Sequence, residues 1–380
     1  MEKISKPSKV YIFTAFYALE RVSSKILFFS CRDFSYDATD RKKRQVVNHL
    51  RGVEPLCSKD LLYVALEKYY KAQNKDVKDV VPTTVIVDPR AKVPCEEWMG
   101  WKEFEQAFHE YSRKGLHNVW LLKPSSTNRG VGIEIMNKMD KIRSFLETKA
   151  GNASMGLNPT WVLQKYIEDP LLVHGRKFDI RVWVAVCDDG NAYIYGPGYI
   201  RTSSSIWTLD DLDRDDNRLV HLTNYCAQSK AGNFGIFEKG NTVSFLRTTY
   251  LLQHINELRY ACNMQLGFDQ FAAFLDSWLE NPQASMGAPD GVGSASVPQA
   301  TVPERGSSGM EILWGDGGIW KEIKDIVSHT MKALRVPSVH ATSRSGCSEW
   351  GFGHKPVDSA QHRFELLGYA FRWWHLYQTI

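Results

Sequence analysis

The 380-residue sequence lacks two patterns that would place a protein outside the cell or in a membrane. Its seven cysteines are odd in number, scattered and never spaced as CxxC, which argues against both a disulfide framework and a zinc site. Its apolar runs are short, and the one at residues 26–29 is far below the roughly 20 residues that a membrane helix needs. We therefore expect reduced thiols, no signal peptide, no membrane partner and a cytoplasmic location.

Several catalytic patterns are missing as well. The chain contains no GxxxxGK[ST] phosphate loop, its 11 histidines show no metal-ligand spacing, and no Ser-His-Asp or Cys-His set can be assembled. The histidines are therefore interpreted as structural. The formal charge of +4 is too small to indicate a nucleic-acid partner, although it suits an acidic protein. The length predicts two or three domains with a large core.

One predicted strand carries ionisable side chains on an otherwise buried face. In the run KFDIRVWVAV at residues 177–186, alternation places Phe178 and the later apolar residues on one face. Lys177, Asp179 and Arg181 share the other face. Because buried charges need partners, this face is either a structural ion network or a surface that holds a charged ligand. On the second interpretation, Lys177 contacts phosphate, Asp179 orients a donor or a ribose, and Arg181 neutralises developing charge.

A glycine-bearing polar loop follows another predicted strand. Lys123 lies near the end of this strand, and Arg129, Gly130 and Gly132 lie in the loop after it. Such a loop can bring backbone amides close to phosphates, while the two basic side chains supply positive charge. Ordinary turns have the same composition, so the loop alone does not distinguish a phosphate-binding loop from an ordinary turn.

Three further segments contribute candidate residues of lower specificity. The QKYI segment at residues 164–167 could frame an adenine with its backbone groups and a lysine. Arg201 ends a strand that pairs with the charged one, and it either converges on the same face or is a solvated strand end. Thr223 and Asn224 form either a turn pair or a pair of donors to a ligand.

Periodicity along the chain predicts an α/β (α+β) fold. Helical spacing follows Ser58, which is predicted to cap its helix, and it recurs at residues 101–112, 139–148, 249–274 and 320–334. Strands are predicted at residues 82–89, 119–124, 177–187 and 192–201, the last two joined by a hairpin turn at 188–191. Residues 281–310 are rich in Gly, Ser, Ala and Pro and are predicted to form a disordered insertion.

In combination and in order, these segments resemble the tubulin–tyrosine ligase-like family, over residues 48–369. The motifs that carry the resemblance are WLLKP at 120–124, NRGVGI at 128–133, QKYIE at 164–168, GRKFDIR at 175–181, YIRTS at 199–203, HLTNY at 221–225 and FELLGY at 364–369. The resemblance implies an ATP-grasp-like fold with mixed and antiparallel sheets flanked by helices. We expect an N-terminal domain at residues 1–57, a central subdomain at 58–165 and a C-terminal subdomain at 166–380.

The resemblance also implies a reaction, in which ATP converts a protein carboxylate to an acylphosphate that the amine of a free amino acid then attacks. HLTNY is closer to the glutamate-adding branch, so glutamate is the expected amino acid and tubulin the expected acceptor, at the cytoskeleton and in a cilium or basal body. Arg181 and Arg201 would be catalytic, steadying the phosphorylated carboxylate or the amino acid. The residues that would line ATP are Lys59, Lys123, Arg129, Gly130, Gly132, Gln164, Lys165, Tyr166, Ile167, Lys177, Asp179, Thr223 and Asn224.

One position departs from the family pattern. The family continues FELLGY with an aspartate and, further on, a Glu-x-Asn, which together hold Mg²⁺. Here Ala370 stands at the aspartate position and no Glu-x-Asn follows, so Mg²⁺ is expected from the family while no metal ligand is predicted. A truncated or alternatively spliced product, or a wrongly assembled gene, would explain the departure. The alternatives to a glutamate ligase are a non-catalytic protein that binds nucleotide and tubulin, a tubulin glycylase and a tyrosine ligase.

Overall fold

A computed structural model describes residues 26–27, 46–47, 54–115, 117–151, 160–187, 192–210, 212–214, 217–234, 265–280, 308–335 and 364–371. The strands within these ranges are β1 (Ile26–Leu27), β2 (Val46–Val47), β3 (Thr84–Val87), β4 (Trp120–Pro124), β5 (Glu134–Met136), β6 (Trp161–Lys165), β7 (Leu172–Val173), β8 (Arg176–Cys187), β9 (Ala192–Thr202), β10 (Gln265–Gly267) and β11 (Phe364–Phe371). The short β1–β2 pair is parallel, and the other pairings are antiparallel. The predicted α/β (α+β) class with mixed and antiparallel sheets is confirmed.

The helices are α1 (Glu54–Cys57), α2 (Lys59–Lys71), α3 (Trp101–Arg113), α4 (Met139–Gly151), α5 (Asn217–His221), α6 (Tyr225–Gln228), α7 (Phe268–Glu280), α8 (Gly309–Trp314) and α9 (Ile319–Arg335). They confirm the helices predicted after Ser58 and near residues 101, 139 and 320. Ser58 is the N-cap residue of α2, as predicted, but its side chain makes no capping bond, because the hydroxyl donates to Asp60 and accepts nothing from the α2 backbone. The helix predicted over 249–274 is wrong at residues 265–267, which form β10, and residues 249–264 lie outside the described ranges.

A four-stranded sheet has the order β3-β6-β4-β5. Helices α3 and α4 cover one face, where Trp101, Phe104 and Trp120 belong to a fully buried apolar cluster. The other face of β4 is buried too, because Leu121 packs in a second cluster that includes Leu222. The strand therefore has apolar residues on both faces, and its run of large side chains does not show the alternation of a half-exposed strand.

A second sheet has the order β10-β9-β8-β11, with β7 paired to β8. The predicted apolar face of β8 is confirmed, since Phe178, Ile180 and Val182 pack against residues of α7, α8 and α9. The β8–β9 pairing places Asp179 directly opposite Arg201, so of the two predicted alternatives Arg201 converges on the charged face and is not a solvated strand end. The register shifts between Arg181 and Trp183, which is the mark of a β-bulge.

Some predictions fall outside the described residues. These include the turn at 188–191, most of the N-terminal domain at 1–57, residues 281–307 of the low-complexity insertion, and residues 372–380. The disorder predicted for the insertion is wrong at Gly309 and Met310, which begin α8. The three-domain division stays a prediction. In the part of the chain that the structure describes, every helix is too short or too polar to span a membrane.

Candidate functional site

A cavity of about 420 Å³ is walled by residues from both large sheets, with β4 and β6 on one side and β8 and β9 on the other. Ten of the fifteen predicted residues line it: Lys59, Lys123, Arg129, Gly130, Gln164, Lys165, Ile167, Asp179, Arg201 and Asn224. Five of these side chains are basic and one is acidic. The cavity wall therefore has the charge that suits a polyanion. Gly132, Tyr166, Lys177, Arg181 and Thr223 are not part of the lining that the structure describes.

The acidic side chain of the wall, Asp179, is held by three donors. Arg201 donates from Nε to Oδ1 and from Nη2 to Oδ2, both at 2.7 Å, and Thr223 donates its hydroxyl to Oδ2. Burial by itself lowers the pKa of Arg201, but the adjacent Asp179 carboxylate more than offsets it, so the pKa lies above its usual value. This part of the charged face is thus a buried ion pair, which is the structural interpretation, and the pair also borders the cavity.

Lys177 lies on the same face of β8 as Asp179, but it contacts Tyr166, which in turn contacts His221. Its Nζ donates to the Tyr166 hydroxyl at 2.6 Å and lies 4.0 Å from the centre of the Tyr166 ring. The Tyr166 hydroxyl lies 2.9 Å from Nδ1 of His221, and all three side chains are buried. Burial, reinforced by the Lys177 ammonium, lowers the pKa of His221 to about 3. The imidazole is therefore neutral at physiological pH.

Arg181 is half-buried and its guanidinium lies 5.6 Å from the Trp183 ring centre. Its Nε has no hydrogen-bond partner among the described residues. Burial lowers the pKa of Arg181, and the neighbouring positive charge of Arg201 lowers it further. The two predicted catalytic arginines therefore lie close enough to repel each other, an arrangement that an anion between them would relieve.

The glycine loop is positioned by residues far along the chain. Gly130 has φ +76°, and a Cβ there would lie 2.8 Å from Oδ1 of Asn224, so any other residue would be strained and would displace the Asn224 side chain. Arg218 donates to the carbonyl of Gly130 at 2.7 Å and to that of Ile133 at 3.0 Å. The backbone of the loop is thereby fixed against the segment that carries Thr223 and Asn224.

Lys123 and Gln164 form one hydrogen-bonded row across the four-stranded sheet. Nζ of Lys123 donates to Oε1 of Gln164 at 2.5 Å, and Nε2 of Gln164 donates to the Thr84 hydroxyl at 2.9 Å. The amide is thus oriented with its oxygen toward the lysine. The row holds the Lys123 ammonium at the cavity wall.

The two remaining lysines of the wall have partners within the protein. Lys59 donates to the Pro124 carbonyl at 2.9 Å and to other carbonyls at the start of the glycine loop. Lys165 forms an ion pair with Glu168 in which the two side chains are 8% and 12% exposed. Burial lowers the pKa of both lysines, and their acidic neighbours oppose the shift. Their contact with a nucleotide stays a prediction.

Sequence reasoning missed two kinds of residue at the candidate site. One is the apolar part of the cavity wall, which comprises Val80, Val81, Pro82, Leu121, Ile133 and Ile326. The other is a pair of polar residues, Arg218 and His221, whose partners lie 88 and 55 positions away in the chain. The position of His221 directly before the LTN segment was the available signal, and no local pattern distinguished Arg218.

The described residues contain no cluster of the side chains that commonly bind metal ions. No group of three or more His, Cys, Asp or Glu side chains is placed there to hold a metal ion. The register of β11 sets Ala370 opposite Arg181 of β8. An alanine side chain has no donor atom for a cation.

Comparison with protein families matches residues 38–246 to the Tubulin-tyrosine ligase family. The chain belongs to this family. All fifteen predicted site residues fall inside the matched span, whereas Ala370 falls outside it. The resemblance inferred from the motifs is therefore confirmed.

Curated members of the tubulin-tyrosine ligase family are similar to parts of the chain. Tubulin glycylase 3B of Tetrahymena thermophila is 37% identical over 121 residues, which are 31% of this chain and 9% of the relative. Tubulin monoglycylase TTLL3 of Mus musculus is 33% identical over 136 residues, or 35% of this chain and 14% of the relative. "Probable tubulin polyglutamylase ttll-9" of Caenorhabditis elegans is 29% identical over 201 residues, which are 52% of this chain and 45% of the relative. The chain thus spans less than half the length of each of these relatives.

Proposed function

We propose that this member of the tubulin-tyrosine ligase family uses ATP to join an amino acid to a carboxylate of tubulin or another acidic protein. The observation that carries the proposal is the convergence of ten motif residues on one cavity wall, with five basic side chains and one acidic one. The fold proposed for this site is of the ATP-grasp type, with the nucleotide between the central (58–165) and C-terminal (166–380) subdomains. The location that fits is the cytoskeleton, including a cilium or basal body.

The cavity fits a nucleotide in size, charge and polarity. Its volume of about 420 Å³ lies within the range of roughly 300–1,000 Å³ for small-ligand pockets. Val80, Val81 and Leu121 offer apolar surface to a base. Lys123, Arg129 and the backbone of the glycine loop offer charge and hydrogen-bond donors to a triphosphate.

The reaction proposed has two steps. A carboxylate oxygen of the acceptor attacks the γ-phosphorus of ATP, the bond to the β-phosphate oxygen breaks, and ADP leaves behind an acylphosphate. The amino group of the incoming amino acid then attacks the acyl carbon, phosphate leaves, and loss of a proton from nitrogen gives the amide. Lys123 would bind phosphate oxygens, while Arg181 and Arg201 would stabilise the charge that develops on the acylphosphate. The Asp179 carboxylate keeps Arg201 in place for this role.

The described residues do not fit a magnesium site. Asp179 is the acidic side chain among the described residues of the cavity wall, and three donors already occupy its oxygens. Mg²⁺ needs several oxygen ligands in near-octahedral geometry. We therefore derive no step through a metal ion.

The amino acid that is joined is proposed to be glutamate or glycine. Two of the relatives above carry glycylase names and one carries a polyglutamylase name, so the expectation of glutamate from HLTNY has a direct competitor in glycine. The acceptor proposed is tubulin, whose acidic tails complement the basic excess of the chain.

Transfer of radiolabelled glutamate, glycine and tyrosine to purified tubulin tests the proposal. ATP-dependent incorporation of one of them by the wild-type chain is expected, with a loss of at least tenfold in Lys123→Met. Lys114→Met is the matched control, because Lys114 is exposed and pairs with Glu110 on the surface of α3. Absence of incorporation of all three amino acids would contradict ligase activity.

A second candidate function rests on Ala370. If the family's first metal ligand is absent, the chain would bind nucleotide and tubulin without ligation. This function predicts co-sedimentation with microtubules and measurable ATP binding, with no incorporated label. The same assay therefore separates the two candidates.

A further inference from the structure

We propose that Tyr166 and His221 are positioning residues that fix the Lys177 ammonium beside the nucleotide cavity. These three side chains, here called the buried triad, are linked by hydrogen bonds of 2.6 Å and 2.9 Å. The inference deepens the proposed function and rests on it, since it concerns how Lys177, the lysine predicted to contact phosphate, is held at the edge of the cavity. His221 was interpreted from the sequence as a purely structural histidine.

The direction of the first hydrogen bond follows from the chemistry of the groups. A lysine ammonium has donors only, so the Tyr166 oxygen must accept from Lys177. In the proposed arrangement the phenol proton is directed to His221, whose Nδ1 lies 2.9 Å from the oxygen. Nδ1 can accept it only when unprotonated, which places the imidazole proton on Nε2.

The charge of the triad supports the same arrangement. His221 is 2% exposed, and a second positive charge close to Lys177 would be both poorly solvated and repelled. The neutral imidazole is therefore the stable form, as its depressed pKa indicates. The triad carries one positive charge, which the ammonium of Lys177 provides.

The triad also connects the elements that carry the rest of the candidate site. Tyr166 follows β6 and stands between two residues of the cavity wall, Lys165 and Ile167. Lys177 lies on β8, two residues before Asp179. His221 ends α5, just before Thr223, which donates to Asp179.

A free lysine side chain loses rotamer entropy when it becomes fixed. A lysine held in advance by Tyr166 has already lost this freedom, so binding of an anion does not have to supply it. The triad thus pre-organises Lys177. A substitution that breaks the triad should therefore weaken nucleotide affinity more than a substitution that breaks a similar hydrogen bond away from the cavity. The effect acts through Lys177, so neither Tyr166 nor His221 needs to touch the nucleotide.

Two substitutions at His221 and one control substitution elsewhere test this inference in the full chain, with ATP affinity measured by calorimetry. His221→Leu removes the acceptor and is expected to weaken ATP binding about tenfold. His221→Asn places an amide oxygen where Nδ1 was and is expected to stay within about threefold of wild type. His329→Leu is the matched control, because it breaks another Tyr–His hydrogen bond, that between Tyr70 and His329 at 2.8 Å, and neither residue lines the cavity.

A ¹⁵N spectrum of the wild-type histidines tests the triad without a variant that might misfold. The His221 signals are expected to show a protonated Nε2 and an unprotonated, hydrogen-bonded Nδ1 at pH 7, and Tyr166→Phe is expected to shift Nδ1 alone. Equal ATP affinity in wild type and His221→Leu, or a proton on Nδ1, would overturn the inference and leave the proposed function standing. Failure of the wild-type chain to bind ATP would overturn both.

Discussion

At the scale of single residues, the Asp179–Arg201 pair differs from the exposed pairs by its isolation from water. Arg201→Ala leaves the Asp179 carboxylate buried without its ion-pair partner, and we expect a loss of about 3–5 kcal/mol in the free energy of unfolding. The control is Arg90→Ala, whose pair with Asp88 at 2.9 Å is formed by a half-exposed arginine and should lose about 1 kcal/mol or less. Urea denaturation of both variants measures the difference, and equal losses would contradict it.

The neutral His221 predicts a specific dependence of stability on pH. Its pKa falls from 6.5 in the unfolded chain to about 3 in the folded one, so below pH 6.5 the unfolded state binds the extra proton. Stability that is full above pH 6.5 is therefore lost as the pH falls toward 3, by about 1.4 kcal/mol per pH unit in the middle of this window. His221→Asn lacks the titrating group, so its unfolding free energy should approach that of the wild type as the pH falls from 6 to 4. A constant difference between the two would refute the assignment.

At the scale of elements, a side chain in the glycine loop would meet two obstacles, a backbone conformation with positive φ and a close contact with a neighbour. Substitutions at two glycines separate these effects. Gly130 and Gly115 have φ of +76° and +71°, but a Cβ at Gly130 meets Asn224, while at Gly115 it meets nothing within 4 Å. Gly115→Ala is expected to show the strain alone, about 1 kcal/mol. Gly130→Ala should be less stable than this and should also bind ATP at least fivefold more weakly. Similar effects of the two variants would show that the Asn224 contact does not position the loop.

Elements whose pattern is local were predicted well from the sequence. The alternation in residues 177–186 is a property of the strand itself. The hairpin predicted that Arg201 lies on the strand next to β8, but its pairing with Asp179 depends on the register shift between Arg181 and Trp183. Failures arose where two local signals competed. The Ser58 hydroxyl had both the α2 backbone and the Asp60 carboxylate within reach, and Asp60 engages it. The three residues of β10 follow the edge of β9 although helical spacing runs through them.

The site was predictable as a set of residues and much less as a set of contacts. The ordered motifs identified ten residues of one cavity wall, because each motif is recognisable within its own short segment of sequence. The partners of Lys177 and Gly130 depend on Tyr166, His221 and Arg218, which the fold brings together from separate elements. Distances of this kind follow from the packing of two sheets, which no single window of sequence contains.

At the scale of the whole molecule, the cavity lies between two sheets that have separate apolar cores. The four-stranded sheet is packed under α3 and α4, and the other sheet under α7, α8 and α9. Lys123 and Gln164 reach the cavity from the first sheet, and Asp179 and Arg201 reach it from the second. A ligand in the cavity therefore contacts both sheets, and its binding should raise the free energy of unfolding of both.

This arrangement predicts that ATP raises the stability of the whole chain by mass action. ATP at 100 times its dissociation constant should add about 2.7 kcal/mol to the free energy of unfolding, because the unfolded chain has no cavity to bind it. We expect the thermal transition to shift upward as one event, by several degrees, in a calorimetric scan with ATP. Lys123→Met should abolish the shift without lowering the transition measured in the absence of ATP by more than a few degrees, whereas the surface control Lys114→Met should retain it. A shift confined to one of two separate transitions would mean that ATP contacts only one sheet, and an unchanged scan would place the nucleotide outside this cavity.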